Sequence, residues 1–179
     1  ANSAVAVTDF SSSFGPNGHG KLSAGSIAGG GTFNLGANEL TVGSNNLSTV
    51  VSGVISGSGG SLVKIGTGTL MLSGANTYTG GSTVAAGTLA ANNASGSATG
   101  TGAVQVQSGA TLAGTGSIAG AVNVAKGGVL SAGNGGAGTL TVGSLSLADG
   151  AVLNYDLGQA NTVGGALNDR VQVNGNLQL

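Results

Sequence analysis

Two short segments carry residue types and spacings that occur in phosphate-binding or catalytic sites. Residues 15–21 read Gly-Pro-Asn-Gly-His-Gly-Lys and fit the first seven positions of a phosphate-binding loop. The eighth position is Leu22, where a Ser or Thr would contact magnesium, and the glycine-rich sequence after it is unsuited to the helix whose N-terminus would hold phosphate. The segment is therefore predicted to be a turn around the only proline of the chain.

The second segment is Ser61–Lys64, which has the Ser-x-x-Lys spacing of penicillin-recognising enzymes. That geometry needs a helix to bring positions i and i+3 together, whereas these residues lie in a predicted strand. His19 is the only histidine and there is no cysteine, so a catalytic triad or a His/Cys metal site lacks partners. A glycoside hydrolase needs two carboxylates that converge on the bond to be cleaved, and the sequence contains only one close carboxylate pair, Asp149 and Asp156. We predict no enzymatic activity, no catalytic residue, no cofactor and no bound metal.

Composition excludes further classes of function. Nine charged residues give a net charge of -1, so there is no basic face to neutralise a phosphate backbone, and we predict no nucleic-acid partner. The sequence contains no run of about 18 apolar residues, the length that a membrane-spanning helix needs. The sequence begins at Ala1 without the pattern of a signal peptide, which is expected of a mature product or an excised fragment.

Glycine spacing predicts the elements that must position any site. The chain holds 38 glycines, and after Gly15 no glycine-free stretch exceeds nine residues, which excludes long helices. Instead, two apolar residues repeatedly flank one other residue, usually polar, which is the period-2 pattern of a half-buried strand. The pairs are Val5/Val7, Phe33/Leu35, Leu40/Val42, Val63/Ile65, Leu70/Leu72, Val104/Val106, Val122/Val124, Leu140/Val142, Leu145/Leu147, Val171/Val173 and Leu177/Leu179.

The strands recur with a loose period of about 20 residues, which lies in the range of known solenoid repeats. Gly-Thr-Leu or a close variant ends at Leu70, Leu89, Leu112, Leu130 and Leu140. The first four leucines follow this period, and the last comes after about half of it. Such a unit is typical of a parallel β-solenoid, in which each coil pairs with its neighbours. The chain is therefore predicted to be all-β, a single β-helix domain over residues 1–179 with about 8 or 9 coils. An antiparallel sandwich or barrel is the competing fold.

Residues 57–91 contain a more specific pattern. They include Leu-Val-Lys-Ile-Gly-Thr-Gly-Thr-Leu-Met-Leu from Leu62, Asn-Thr-Tyr-Thr-Gly from Asn76 and Ala-Gly-Thr-Leu from Ala86. This segment resembles the passenger-associated repeat of bacterial autotransporters, which belong to type V secretion. Residues 102–142 and 168–175 are similar to the passenger coils that follow such a repeat. The resemblance covers roughly residues 30–179.

The resemblance carries expectations about fold, partner and location. It implies a right-handed parallel β-helix that is exported through both membranes and stands on the bacterial cell surface. It also implies a partner, the C-terminal translocator β-barrel of the same parent chain, which anchors the passenger at the outer membrane. These 179 residues are expected to be passenger and not translocator.

Three positions in the repeat and near the C-terminus have expected local roles. Tyr78 is predicted to cover the edge of a turn, with ligand stacking as the alternative. Asn76 suits a tight arc between strands, where asparagine can adopt a left-handed backbone or bond to its own backbone. Asp169 and Arg170 are predicted to form a local ion pair or a turn.

Two functional hypotheses follow. The first is a structural stem that supports secretion by folding outside the cell, with residues 140–179 as the C-terminal folding nucleus because they are the segment richest in large aliphatic residues. The alternative is an adhesin module that binds host matrix or glycans, or that self-associates between cells. The neutral exterior rich in Ser, Thr and Asn supports adhesion, but few aromatic or Arg anchors are present.

Overall fold

The computed structural model describes residues 20–163 and 166–179. These residues form strands without any helix. The strands are β1 (Lys21–Ala24), β2 (Phe33–Asn34), β3 (Glu39–Val42), β4 (Thr49–Val51), β5 (Ile55–Ser56), β6 (Ser61–Lys64), β7 (Thr69–Leu72), β8 (Ser82–Val84), β9 (Thr88–Ala91), β10 (Val104–Val106), β11 (Thr111–Gly114), β12 (Ser117–Val124), β13 (Val129–Ala132), β14 (Thr139–Leu147), β15 (Val152–Asn154), β16 (Arg170–Val173) and β17 (Leu177–Gln178).

The strands stack into three parallel sheets that wind around one interior. The first sheet has the order β1-β3-β6-β8-β10-β12-β14-β16, with β17 also paired to β14. The second sheet has the order β4-β7-β9-β11-β13-β15, and β2 pairs with β5 in the third. Strands that neighbour each other in a sheet belong to successive coils, so the backbone groups of one coil are satisfied by the coils on either side of it. The all-β parallel solenoid is confirmed. The right hand of the winding stays a prediction.

The recurrent leucines form one interior ladder. Leu70, Leu89, Leu112 and Leu130 pair in register along the second sheet and are all buried. Their spacing along the chain is therefore the length of one coil, as predicted. Leu140, which follows Leu130 after about half that spacing, lies in the first sheet opposite Val171 and does not belong to this ladder.

Most of the predicted apolar pairs point inward, but one is out of register. Val63 and Ile65 are half-buried, whereas Leu62 and Lys64 are buried. Because side chains alternate across a strand, this one-residue shift reverses the predicted face of the whole strand. Val5/Val7 lies outside the described residues. The pairs with both members buried are Phe33/Leu35, Leu40/Val42, Leu70/Leu72, Val104/Val106, Val122/Val124 and Leu140/Val142.

The second sheet has six strands, so the described residues make about six turns of the solenoid. This number is lower than the predicted 8 or 9 coils. Two features of the sequence explain the difference. Some coils are longer than the predicted period, as between Leu89 and Leu112. In addition, residues 155–163 and 166–169 form an excursion outside the regular coils. A short antiparallel bridge between Leu157 and Asn168 closes this excursion.

Large apolar side chains are exposed mainly at the C-terminal end. Leu153, in the last strand of the second sheet, is 41% exposed, and Val163 in the excursion is 87% exposed. Strand β14 has nine residues and pairs with β12, β16 and β17 in the first sheet. No helix that could cross a membrane occurs among residues 20–163 and 166–179.

Candidate functional site: buried polar contacts and an outer polar column

Lys64 lies inside the solenoid, with only 1% of its surface exposed. Its ammonium donates hydrogen bonds to the carbonyl oxygens of Ile65 at 2.7 Å, Gly66 at 3.0 Å and Ala86 at 3.2 Å. The first two acceptors follow Lys64 directly and the third lies in the next coil, so the cation ties two coils together. Burial lowers the pKa of Lys64 below its usual value. A buried cation remains tolerable when its donors are all satisfied.

Glycine turns make room for this ammonium. Gly66 and Gly87 both have φ in the left-handed region, at 69° and 64°. A Cβ on Gly87 would lie 2.4 Å from the Gly66 carbonyl oxygen and 2.9 Å from Lys64 Nζ. Only glycine fits such a turn without strain, and its missing side chain opens the carbonyls to the lysine.

Asn76 connects three successive coils through its side chain. Its Oδ1 accepts a hydrogen bond from the Ile55 N–H at 2.7 Å, and its Nδ2 donates to the Ala98 carbonyl oxygen. These partners are 21 and 22 residues away, one coil on either side. The expectation of a left-handed or self-bonded backbone is wrong: the buried amide directs its donor and acceptor to neighbouring coils instead of to its own turn.

Tyr78 belongs to the core. Its side chain is fully buried, and its hydroxyl shares a 2.6 Å hydrogen bond with Ser82 Oγ. Burial raises the pKa of the Tyr78 phenol, and the hydrogen bond with Ser82 opposes this rise. Both expected roles are therefore wrong, because a buried ring neither stacks on a ligand nor covers the edge of a turn.

The residues with possible catalytic spacing do not assemble into a site. In β6, Ser61 and Lys64 are three positions apart and lie on opposite faces, so they do not meet. Most of the phosphate-loop segment 15–21 and His19 lie outside the described residues. Lys21, the last residue of that segment, forms a 3.1 Å ion pair with Glu39, and both side chains contact solvent. Within the described part of the chain, no three metal-ligating side chains cluster.

Asn168 and Asp169 hold the excursion against the last coils. Asp169 accepts backbone hydrogen bonds from Gly138 at 2.7 Å and from Asp156 at 2.8 Å. Asn168 accepts from the N–H groups of Gly158 and Gln159 and donates to two carbonyl oxygens of the excursion. In the described part of the chain, the carboxylate accepts hydrogen bonds from these two backbone amides instead of forming the predicted ion pair with Arg170.

A column of uncharged, mostly polar side chains runs along the outside of the first sheet. Thr83, Gln105 and Asn123 occupy successive positions in register, about 4.8 Å apart. Within residues 20–163 and 166–179, their side chains have no protein hydrogen-bond partner. Two shallow grooves of about 240 and 160 Å³ lie along the column. The full column is Ser23, Thr41, Val63, Thr83, Gln105, Asn123, Ser146 and Gln178.

The sequence-based reasoning missed the buried positions of Lys64 and Ser82. A signal for Lys64 was present, because it shares a strand face with Leu62 in the period-2 pattern. Ser82 carries the same signal, because it shares a strand face with Val84 in β8. The hydrogen bonds of Asn168 depend on the path of the excursion, which the sequence pattern does not reveal.

Comparison with known proteins finds a family model and a relative that are similar to part of this arrangement. Residues 62–91, which contain Lys64, Asn76 and Tyr78, match the family model of the passenger-associated-transport-repeat. A segment of 57 residues is 54% identical to "Adhesin BmaC autotransporter" of Brucella suis biovar 1 (strain 1330). The matched segment is 31% of this chain and only 2% of that relative. No solved structure matches the chain.

The matched repeat and the structure agree on one interpretation. The buried polar contacts fall within the family segment, and they join coils of a parallel solenoid. Residues 62–91 therefore match a passenger-associated transport repeat, and the β-solenoid that contains them is similar over 57 residues to part of an autotransporter adhesin.

Proposed function

We propose that these residues form a non-catalytic structural stem of the passenger and support secretion by folding outside the cell. The observation that carries the proposal is the link from Asn76 to the coils on both sides. In a solenoid, each coil contacts only its neighbours, so contacts that span three coils raise the cooperativity of the array. A stem needs this property because it must stay folded without support from other domains.

Folding would begin at residues 140–179, next to the translocator β-barrel that we propose as the partner on the same parent chain. Strand β14 is suited to this role because its nine residues pair with β12, β16 and β17. Coils could then add one at a time to the formed edge. The test is dilution from denaturant of residues 1–139 and of the whole chain. We expect refolding of the truncated chain to fail or slow sharply. Equal refolding rates would exclude the nucleus.

A second function, adhesion, is favoured by the outer polar column. Thr83, Gln105 and Asn123 have no side-chain hydrogen-bond partner among the residues that the structure describes, and charge is nearly absent along the column, so it suits an uncharged ligand rich in hydroxyl groups. The matched relative is itself named an adhesin. We propose host glycans, host matrix or a second copy on another cell as the partner classes.

The two functions are separated by a binding panel. The purified chain is tested against extracellular-matrix proteins, neutral and acidic glycans and itself, with an unrelated β-solenoid as control. Selective, saturable binding that is lost in Gln105→Ala supports adhesion. Binding to none of them leaves the stem as the function of these residues.

A further inference from the structure

Two Asn-Gly pairs lie in the described part of the chain, Asn134-Gly135 and Asn174-Gly175. In such a pair, the glycine nitrogen can attack the asparagine Cγ. A C–N bond forms, ammonia leaves with a proton, and water then opens the resulting succinimide to aspartate or isoaspartate. The reaction needs only water, and it needs a glycine nitrogen that is free to move toward the side chain.

The Asn134-Gly135 pair meets this requirement. It lies in an exposed turn after β13, and Gly135 has φ of +85°. Within the residues that the structure describes, the Gly135 nitrogen has no hydrogen-bond acceptor. No heavy atom lies within 4 Å of the position where a Cβ on Gly135 would be, so the turn is not packed against other parts of the chain at this glycine.

In the Asn174-Gly175 pair, by contrast, the glycine nitrogen is hydrogen-bonded. The Gly175 N–H donates to the Gly143 carbonyl oxygen at 2.6 Å, and the Asn174 N–H donates to that of Val142 at 3.0 Å. The Asn174 side chain also accepts a hydrogen bond from Gln172. Both backbone nitrogens are thus tied to the preceding coil, and the nucleophile must leave its hydrogen bond before it can react.

We infer that Asn134 is a site of spontaneous deamidation and that Asn174 is protected by the fold. This inference is independent of the proposed stem and adhesin functions. The product has a structural consequence, because the turn of Asn134 wraps around the buried Asp169 carboxylate. Asp169 Oδ1 accepts from the Gly138 N–H and lies 3.1 Å from where a Cβ on Gly133 would be. A second carboxylate in this turn repels the first, and the excursion loosens.

The test is incubation of the purified chain at neutral and mildly alkaline pH, followed by peptide mapping by mass spectrometry. We expect deamidation at Asn134 to outpace that at Asn174 by roughly tenfold or more, as expected when one hydrogen bond must open first. In denaturant, where both pairs are free, the two rates should converge. Mapping also separates Asn17-Gly18, which lies outside the described residues.

Two outcomes would overturn the inference. Equal rates in the folded chain would show that the fold does not select Asn134, and an unmodified Asn134 in the time that the denatured chain reacts would show that the turn is protected. The consequence is tested with Asn134→Asp, with Asn134→Gln as the uncharged control. We expect faster amide exchange at Gly138 and Asp156 only in Asn134→Asp. Unchanged exchange would overturn the proposed loosening.

Discussion

Asn76 Oδ1 lies 2.7 Å from the backbone nitrogen of Ile55, one coil away, and accepts its hydrogen bond in the solenoid interior. The same amide donates to the following coil at Ala98. The Asn76 side chain accepts a hydrogen bond from the preceding coil and donates one to the following coil, and it therefore fixes the stacking of three coils. Leucine ladders alone provide burial, but they tolerate small displacements along the strands.

We predict that Lys64→Met destabilises the chain by about 1–3 kcal/mol. Three carbonyl oxygens lose their charged donor, and this loss outweighs the relief from burying a cation. The measurement is the free energy of unfolding in urea. Lys126→Met is the matched control, because Lys126 is exposed, and it should change that free energy by less than about 0.5 kcal/mol. A Lys64→Met chain as stable as its control would contradict the role of the ammonium.

The lowered pKa of Lys64 gives the same variant a second readout, the dependence of stability on pH. Between this lowered pKa and the usual lysine value near 10.5, the unfolded chain binds more protons than the folded chain, so raising the pH favours folding. Lys64→Met should abolish this rise. A rise that is unchanged in the variant would have to come from another group.

The raised pKa of Tyr78 should make stability fall as the pH rises, the opposite of the effect of Lys64. The folded pKa of Tyr78 is raised, so above the usual tyrosine pKa near 10 the folded state holds the proton that the unfolded state has lost, and stability falls with pH. Tyr78→Phe should remove the fall and cost about 1 kcal/mol at neutral pH through the lost hydrogen bond to Ser82. Tyr155→Phe, which leaves Tyr78 in place, should keep most of the alkaline fall.

Gly87→Ala should be much more harmful than Gly109→Ala. Both glycines have positive φ, so both variants carry a backbone cost of about 1 kcal/mol. Only at Gly87 does the new Cβ also collide with a carbonyl oxygen and with Lys64 Nζ, whereas nothing lies within 4 Å at Gly109. Thermal unfolding of the two variants measures the difference. Equal melting temperatures would contradict the close packing around the ammonium.

The open end of the second sheet predicts association of the isolated chain. Strand β15 is the last strand of that sheet in the described residues, and its apolar Val152 and Leu153 are exposed. An unpaired strand edge is a template for pairing with another chain. Sedimentation over a wide concentration range should show oligomers growing with concentration, and Leu153→Lys should reduce them. A monomer at every concentration would exclude this edge contact.

The sequence was sufficient to predict the solenoid because coil length and strand alternation are local properties. Leu70, Leu89, Leu112 and Leu130 repeat at the coil length, and the register follows from stacking them. The coil number was overestimated because some coils are longer than the predicted period and because residues 155–163 and 166–169 leave the regular path. Their hold on the last coils depends on Asn168 and Asp169, which accept backbone N–H groups that are distant in sequence.

The interior polar contacts were harder to predict for a physical reason. A lysine between Val63 and Ile65 is normally assigned to the solvent face, since burial of a charge is costly. Here glycine turns present enough carbonyl oxygens to satisfy it, which depends on the relation between coils and not on the strand itself. The same holds for Asn76, whose two partners are each about one coil away in sequence.

The central claim, that buried polar contacts within the repeat hold successive coils in place, is tested most directly by comparing Asn76→Ala with Asn123→Ala. Both remove the same amide, but Asn123 lies on the outer column without a protein partner in the described residues. The measurement is the free energy of unfolding in urea. We predict a loss of about 2–4 kcal/mol for Asn76→Ala, because the Ile55 N–H and the Ala98 carbonyl are left buried and unpaired, and less than about 0.5 kcal/mol for Asn123→Ala. Equal losses in the two variants would contradict the account.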